Sequence, residues 1–164
     1  MLKAKQVMDR VLSVAVAILL AFMTLLTTYQ VIMRYVFKSP STMSEDLLSY
    51  SFVWVSLLGT ALVFGNRDHM NLNLLPNKLE GKPKLALSVF SELLIMVIVA
   101  MVFLFGGLEF MKVGTMQLSP TLNVSMNWVY LILPISGLLI IFYNVVNLYD
   151  AFRKYGLAGK ENYQ

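Results

Sequence analysis

Long apolar segments alternate with short polar ones along this chain. Four apolar runs occupy residues 11–33, 47–65, 85–108 and 128–149, and the only charge inside them is Glu92. Each run is close to the ~20 residues that a helix rising ~1.5 Å per residue needs to cross ~30 Å of hydrocarbon. Because lipid offers no hydrogen bonds to an exposed backbone, the runs are predicted to be helices. The pattern therefore predicts an all-α integral membrane protein, with four transmembrane helices in a single membrane domain spanning residues 1–164.

The composition leaves little room for anything besides these spans. Of the 164 residues, 58% are hydrophobic and 13% are charged, so the connecting segments are short. The first run follows Lys3, Lys5 and Arg10. It is too long for the apolar part of a cleaved secretory signal, and no small-residue cleavage motif follows it. We therefore interpret it as a retained first span.

The positive charges lie mainly in alternate gaps. Ten of the 13 Lys and Arg residues lie before the first run, between the second and third runs, or after the fourth, and three lie in the other gaps. Lys and Arg are enriched in cytoplasmic loops, so both termini are predicted to be cytoplasmic. The net charge of +4 is interpreted as a consequence of this topology, and no nucleic acid is expected as a partner.

Three further features concern a connecting segment and the geometry of the third and fourth helices. The gap between the second and third runs interleaves Leu with Asn and Lys, which predicts a short interfacial amphipathic arm at about residues 70–82 lying against membrane lipid headgroups. Pro83 is predicted to begin the third helix, which would run to about Met111. Pro134 is predicted to kink the fourth span.

Small and aromatic residues suggest how the helices pack. Ser13, Ala17 and Ala21 recur every four residues in the first span, and Ala61 and Gly65 share that spacing in the second, which allows close helix approach within a bundle. The other faces are apolar all round, so some must meet lipid or a large partner.

The aromatic residues are interpreted by their depth in the predicted spans. Trp128 on the outer side and Tyr143 and Tyr149 on the inner side are predicted to be interfacial anchors. Trp54 lies deeper and is predicted to pack against another helix.

Several chemistries lack the residues that they need. The chain has no cysteine, which excludes disulfide exchange, iron–sulfur ligation and Cys-type zinc sites within it. Its one histidine, His69, cannot supply bis-His haem ligation and is interpreted as a surface or packing residue. No nucleotide-binding phosphate loop is present. We therefore expect that the protein is not an enzyme and that this chain holds no cofactor or metal.

Glu92 is the one ionisable residue inside a span. A charge at the centre of a membrane helix costs about 2.5–3.5 kcal/mol, so such residues tend to be functional. Glu92 lies inside the cytoplasmic end of the third run, where it can pair with a basic residue, and we favour a structural or pairing role over proton coupling. The chain also lacks the repeated spans and broken half-helices of self-sufficient transporters. It is interpreted as part of a transporter or scaffold.

A series of residues in the connections is more specific. In chain order it comprises Arg34 to Pro40, Ser44 to Asp46, Trp54, Gly59, Arg67 to Met70, Ser119 to Leu122, Trp128 to Tyr130, and Pro134. The order and spacing resemble the small membrane subunit, of the DctQ type, of tripartite ATP-independent periplasmic (TRAP) transporters. The chain departs from the family pattern at Met43, where an aromatic residue is common, at Asp46, where a second glutamate is common, and at Ser125, where proline is frequent.

The resemblance implies a function by assembly. In such systems a periplasmic substrate-binding protein captures an organic acid, and a large membrane subunit carries it inward with sodium by an elevator-type motion. This chain would be the small subunit, in the bacterial inner membrane, which forms a scaffold with the large one. Sodium is expected in the large subunit, with no cofactor in this chain. Family substrates include sialic acid and C4-dicarboxylates, and the overall resemblance favours sialic acid.

Six residues are candidates for structural or interface roles: Arg34, Glu45, Asp46, Trp54, His69 and Glu92. Arg34 ends the first span on the side where Glu45 and Asp46 open the second. These charges either pair with each other or contact the periplasmic partner or the large subunit. Two other functions stay open, a small homo-oligomeric ion-coupled transporter that depends on Glu92, and a structural protein with four spans.

Overall fold

The computed structural model describes residues 2–66 and 82–161, with side-chain detail for residues 5–65 and 89–149. These residues are helical except in two connections and one short break, and no β-strand occurs among them. In chain order the helices are α1 (Leu2–Tyr35), α2 (Thr42–Asn66), α3 (Lys82–Val99), a π-helix (Ala100–Gly106), α4 (Gly107–Thr115), α5 (Asn127–Tyr130) and α6 (Ile132–Glu161).

Four helical segments are long and apolar enough to cross a membrane. They are Lys5–Tyr35, Thr42–Gly65, Val89–Thr115 and Asn127–Tyr149. The prediction of an all-α protein with four apolar spans is confirmed. The predicted interfacial arm, at about residues 70–82, lies outside the described ranges apart from Lys82, where α3 already begins. The cytoplasmic placement of the termini stays a prediction.

The third span is one continuous helical segment with an irregular centre. It begins at Lys82, next to the predicted start at Pro83, and reaches Thr115 rather than Met111. The π-helix in its middle was not predicted. It packs closely on α6, because a Cβ atom at Gly137 would lie 2.7 Å from the Cβ of Phe103.

The fourth span is interrupted close to Pro134, where a kink was predicted. Leu131 separates α5 from α6, three residues before the proline. Proline has no backbone N–H, so the carbonyl of Tyr130 lacks its usual partner four residues on. The predicted distortion is thus present as a break in the helix.

The fourth span is the centre of the arrangement. α1 packs mainly on α2, α2 packs on α6, and the third span packs along another side of α6. Within the apolar windows, 39% of the fourth span is buried, against 6% of the first and 11% of the second and third. The core has two clusters of buried apolar residues, Leu12, Leu58, Ile132 and Tyr143 in one, and Ala61, Val99 and Ile140 in the other.

Because successive spans reverse direction, the bundle has two ends that carry different parts of the chain. We call the end with residues 36–41 and 116–126 the loop end. The opposite end, where α1 begins and α2 finishes, is the terminal end. In the predicted topology the loop end is periplasmic and the terminal end is cytoplasmic.

The two small-residue stripes have different environments. In the second span Ala61 is fully buried and Gly65 lies against the ring of Tyr143, as expected for close packing. In the first span Ser13, Ala17 and Ala21 are all exposed. The expectation of packing within the bundle is therefore wrong for the first stripe, because α1 turns the opposite side, with Leu12, towards α2.

Of the three aromatic residues predicted to be interfacial anchors, two are exposed and one is buried. Trp128 is 67% exposed and Tyr149 is 50% exposed, which suits interfacial anchors. Tyr143 is fully buried, so its prediction as an anchor is wrong. Its ring fills the space between α6 and the bare backbone at Gly65, and its hydroxyl group has a partner inside the protein.

Candidate assembly site

Asp46 fastens α2 to the loop that connects the third and fourth spans. Its Oδ2 atom accepts hydrogen bonds from the hydroxyl groups of Ser119, at 2.9 Å, and Thr121, at 2.5 Å. Ser119 is 1% exposed, Asp46 is half-buried and Thr121 is exposed, so the contact lies at the edge of the surface. Hydrogen bonds to a carboxylate are stronger than those between neutral groups. Asp46 is therefore a structural tie at the loop end.

The loop itself, residues 116–126, has its own internal bonds. The Ser119 amide donates to the Val124 carbonyl at 2.9 Å, and the Met126 amide donates to the Gln117 carbonyl at 3.0 Å. Ser125 Oγ adds a bond of 3.1 Å to the carbonyl of Gly114 in α4. These bonds give the loop a defined shape.

The same loop presents apolar side chains outwards. Met116 is 90% exposed and Leu118 is 64% exposed. Nearby on the other connection of the loop end, Tyr35, Val36 and Phe37 are exposed as well. A shaped loop with exposed apolar side chains is suited to contact a partner or the membrane surface.

The predicted pairing of Arg34 with the acidic residues is not formed. An ion pair is instead formed by Lys112 with Glu109, at 2.6 Å on the exposed surface of α4. Arg34 and Glu45 are exposed. The carboxylate of Asp46 faces the 116–126 loop instead, where two hydroxyl groups satisfy it.

At the terminal end, Tyr143 joins three helices. Its hydroxyl group donates a hydrogen bond of 2.6 Å to Asp9 of α1, and its ring lies against Gly65 of α2. Trp54 packs against the same buried cluster, as predicted from its depth in the second span. Sequence reasoning missed the roles of Tyr143 and Asp9, because a tyrosine near a span end usually marks the interface.

The other two candidates lie on the third span and in the gap before it. Glu92 is buried, with 6% of its surface exposed. His69 lies outside the described residues. Sequence reasoning also missed the polar stripe of α6, where Asn144 and Asn147 are buried. Two asparagines three residues apart inside an apolar span were an available signal.

The described residues include no group of three or more His, Cys, Asp or Glu side chains that could hold a metal ion. They do present large exposed apolar surfaces. Long apolar faces of α1 and of the third span are exposed, among them Val14, Ile18, Val97 and Phe105. These faces require lipid or the spans of another protein. The arrangement is thus suited to assembly.

Comparison with known proteins places these features in a family. A protein-family model described as "Tripartite ATP-independent periplasmic transporters, DctQ component" matches residues 23–154. The chain is 22% identical, over 149 residues, to the sialic acid TRAP transporter small permease protein SiaQ of Vibrio cholerae, covering 91% of this chain and 86% of that relative. It is 28% identical, over 138 residues, to a putative TRAP transporter small permease protein of Haemophilus influenzae, covering 83% and 82%.

A third relative is much longer. The chain is 26% identical, over 113 residues, to the sialic acid TRAP transporter permease protein SiaT of Haemophilus influenzae. The match covers 69% of this chain and 18% of that relative. In that protein, the segment similar to this chain is therefore a small part of a larger permease.

Proposed function

Because this chain belongs to the DctQ component family of the tripartite ATP-independent periplasmic transporters, we propose that it is a small permease subunit that forms a scaffold with a large, elevator-type permease. It is a multi-pass protein of the bacterial inner membrane. The large subunit carries an organic acid inward with sodium, and a periplasmic binding protein delivers that acid. Both termini of this chain lie in the cytoplasm. The observation that carries the proposal is the family match, which includes parts of all four spans.

The burial pattern supports a scaffold role. The first three spans bury little of their apolar surface within the chain, although each is long enough to cross the membrane. Without a hydrophobic driving force between helices in lipid, membrane helices associate through close packing and polar contacts. The exposed small-residue stripe of α1, with Ser13, Ala17 and Ala21, offers such packing to a helix of another subunit.

The SiaT relative supports a large partner. A segment similar to this chain is there joined to a permease of which it forms 18%. We infer that this protein contacts a large permease in the same complex.

The names of two relatives support a substrate class. Two of them are called sialic acid transporters, which favours sialic acid over a C4-dicarboxylate. We propose that the acid and sodium bind to the large subunit and that this chain binds neither. The loop end, with Asp46 beneath it, is the surface available to the periplasmic binding protein.

The test is co-purification from native membranes. The full chain with a C-terminal tag is extracted in mild detergent, and the bound proteins are identified and quantified by mass spectrometry. We expect a large TRAP permease in near-equal amount. Recovery of the chain alone, as a homo-oligomer, would contradict the proposal.

A transport assay separates the remaining alternative. In a self-contained ion-coupled transporter, Glu92→Gln abolishes uptake while assembly persists. In a scaffold subunit, uptake of labelled sialic acid by liposomes that contain both subunits and the binding protein continues with Glu92→Gln. Uptake by this chain without the large subunit would refute the scaffold role.

A further inference from the structure

Three buried polar side chains lie at the terminal half of the bundle and are not explained by a scaffold role alone. They are Glu92 on α3 and Asn144 and Asn147 on α6, with 6%, 1% and 3% of their surfaces exposed. Polar groups inside a membrane span are costly, and those that are present usually pair with each other or line a site. Their common location can be worked out from the packing of the two helices.

The third span and α6 run antiparallel in close contact. Val99 and Ile140 belong to the same buried cluster. Nearer the loop end, Phe103 meets the backbone at Gly137, where a Cβ atom would lie 2.7 Å from the Cβ of Phe103. The two helices therefore run in opposite directions. Towards the terminal end, residue numbers decrease along the third span and increase along α6.

Continuing this register brings the polar residues opposite one another. Glu92 lies seven residues before Val99, which is about two turns along the same face of α3. Asn144 and Asn147 lie four and seven residues after Ile140, on the same face of α6. Glu92 and the two asparagines therefore occupy facing stripes, with Asn147 at the depth of Glu92 and Asn144 about one turn nearer the loop end.

The end of α2 closes a third side of this seam. Asn147 Nδ2 donates a hydrogen bond of 3.3 Å to the backbone carbonyl of Phe64. Phe64 is within the last four residues of α2, whose carbonyl groups have no partner inside the helix. The cluster is thus bounded by α2, α3 and α6.

Asn144 supplies the observation that points to a ligand. Its Nδ2 atom is buried and has no hydrogen-bond partner among the described residues. A buried donor without a partner is unfavourable, and a small molecule that accepts its hydrogen bond removes that cost. Water fits this chemistry, because buried waters typically link two to four otherwise unsatisfied polar groups.

We propose that Glu92, Asn144 and the end of α2 enclose a buried water site between α2, α3 and α6. The water accepts a hydrogen bond from Asn144 Nδ2 and donates one to the carboxylate of Glu92, which has room for several donors besides its other contacts. The site connects the third span to α6 by polar contacts, in a region where lipid cannot supply them. It is independent of the proposed transport function.

The test uses the full chain, labelled with ¹⁵N and reconstituted in lipid bilayers, and solid-state NMR that measures magnetisation transfer from water. We expect transfer to the side-chain amide of Asn144 as fast as to that of Asn123, which is exposed in the 116–126 loop. The backbone amide of Ile140, on the same face of α6 and fully buried, is the slow reference. Transfer at Asn144 as slow as at Ile140 would overturn the proposal.

Two variants complete the test. One assigns the side-chain amide resonance of Asn144, and the other tests whether the carboxylate of Glu92 holds the water. Asn144→Leu identifies the resonance by its loss, and sequential assignment of the wild type serves if that variant does not fold. Glu92→Leu removes the acceptor, and we expect slower transfer at Asn144 with transfer at Asn123 unchanged. Undiminished transfer in Glu92→Leu would show that the carboxylate does not hold the water, which also overturns the site as proposed.

Discussion

The contact between Gly65 and Tyr143 gives the sharpest test of how the bundle is held together. A Cβ atom at position 65 would lie 2.6 Å from one carbon of the Tyr143 ring and 2.8 Å from two others. The ring cannot move aside easily, because it is fully buried and its hydroxyl group is bonded to Asp9. Gly65→Ala therefore overfills a packed site.

The expected cost can be worked from two opposing effects. Overfilling a packed core costs about 1–3 kcal/mol. Alanine favours a helix over glycine by up to about 1 kcal/mol, and by less here because Gly65 is next to the last residue of α2. The packing cost is the larger effect, so Gly65→Ala should destabilise the protein by about 1–2 kcal/mol. At about 2–4 °C per kcal/mol, the melting temperature should fall by about 2–8 °C.

Gly59→Ala is a matched control in the same helix. No atom lies within 4 Å of the Cβ position at Gly59, so only the gain in helix propensity remains and the melting temperature should hold or rise. Thermal unfolding of the purified chain in detergent can be followed by the fluorescence of Trp54, which packs against the cluster containing Tyr143. If Gly65→Ala melts at or above the temperature of Gly59→Ala, the close contact is not a determinant of stability.

Two polar contacts give further predictions. Asp46→Ala removes the acceptor of two hydrogen bonds to the 116–126 loop, so amide hydrogen exchange in that loop should accelerate several-fold, while Glu45→Ala, at an exposed position, should leave it unchanged. Equal acceleration in both variants would contradict the tie. Tyr143→Phe leaves the carboxylate of Asp9 without its donor and should cost about 1–3 kcal/mol of stability. Tyr149 is half exposed, so the free energy of unfolding of Tyr149→Phe should stay within about 0.5 kcal/mol of the wild-type value. A similar loss of stability in the two variants would refute the contribution of the Tyr143 hydroxyl group.

The spans could be predicted from the sequence because the residues of a helix that lie in hydrocarbon are apolar. The apolar run does not show where the helix itself begins and ends. α1 continues back from the predicted start at residue 11 to Leu2, and α2 begins at Thr42 rather than residue 47. Polar residues such as Lys5 and Glu45 stay helical outside the hydrocarbon, because the backbone bonds of a helix do not depend on apolar side chains.

The tie at Asp46 could not be predicted for a different reason. Its partners Ser119 and Thr121 are 73 and 75 residues away along the chain. Arg34, which is close in sequence and opposite in charge, was the natural expectation. Which connection lies beside the start of α2 is decided by the packing order of the spans, and uniformly apolar spans do not encode that order in their periodicity.

The same uniformity hid the inward face of the fourth span. An amphipathic helix reveals its buried side through polar residues on the other side, but in lipid both sides are apolar. Here the rare polar residues mark the buried face instead, as Ser136, Asn144 and Asn147 do. Inside a membrane span, an asparagine therefore indicates a helix contact more directly than any leucine does.

The placement of the polar contacts bears on how a scaffold with so little buried surface can hold its shape. Asp46 ties α2 to the loop before the fourth span at one end of the bundle, and Tyr143 ties α6 to α1 and α2 at the other. Apolar packing alone discriminates weakly between a protein neighbour and lipid, whereas a hydrogen bond requires a specific donor and a specific acceptor at a fixed distance. Contacts at the two ends can therefore fix the relative positions of the spans while their long apolar faces stay available to a larger permease. We expect variants at these ends to weaken the subunit itself, and variants on the exposed stripe of α1 to weaken assembly alone.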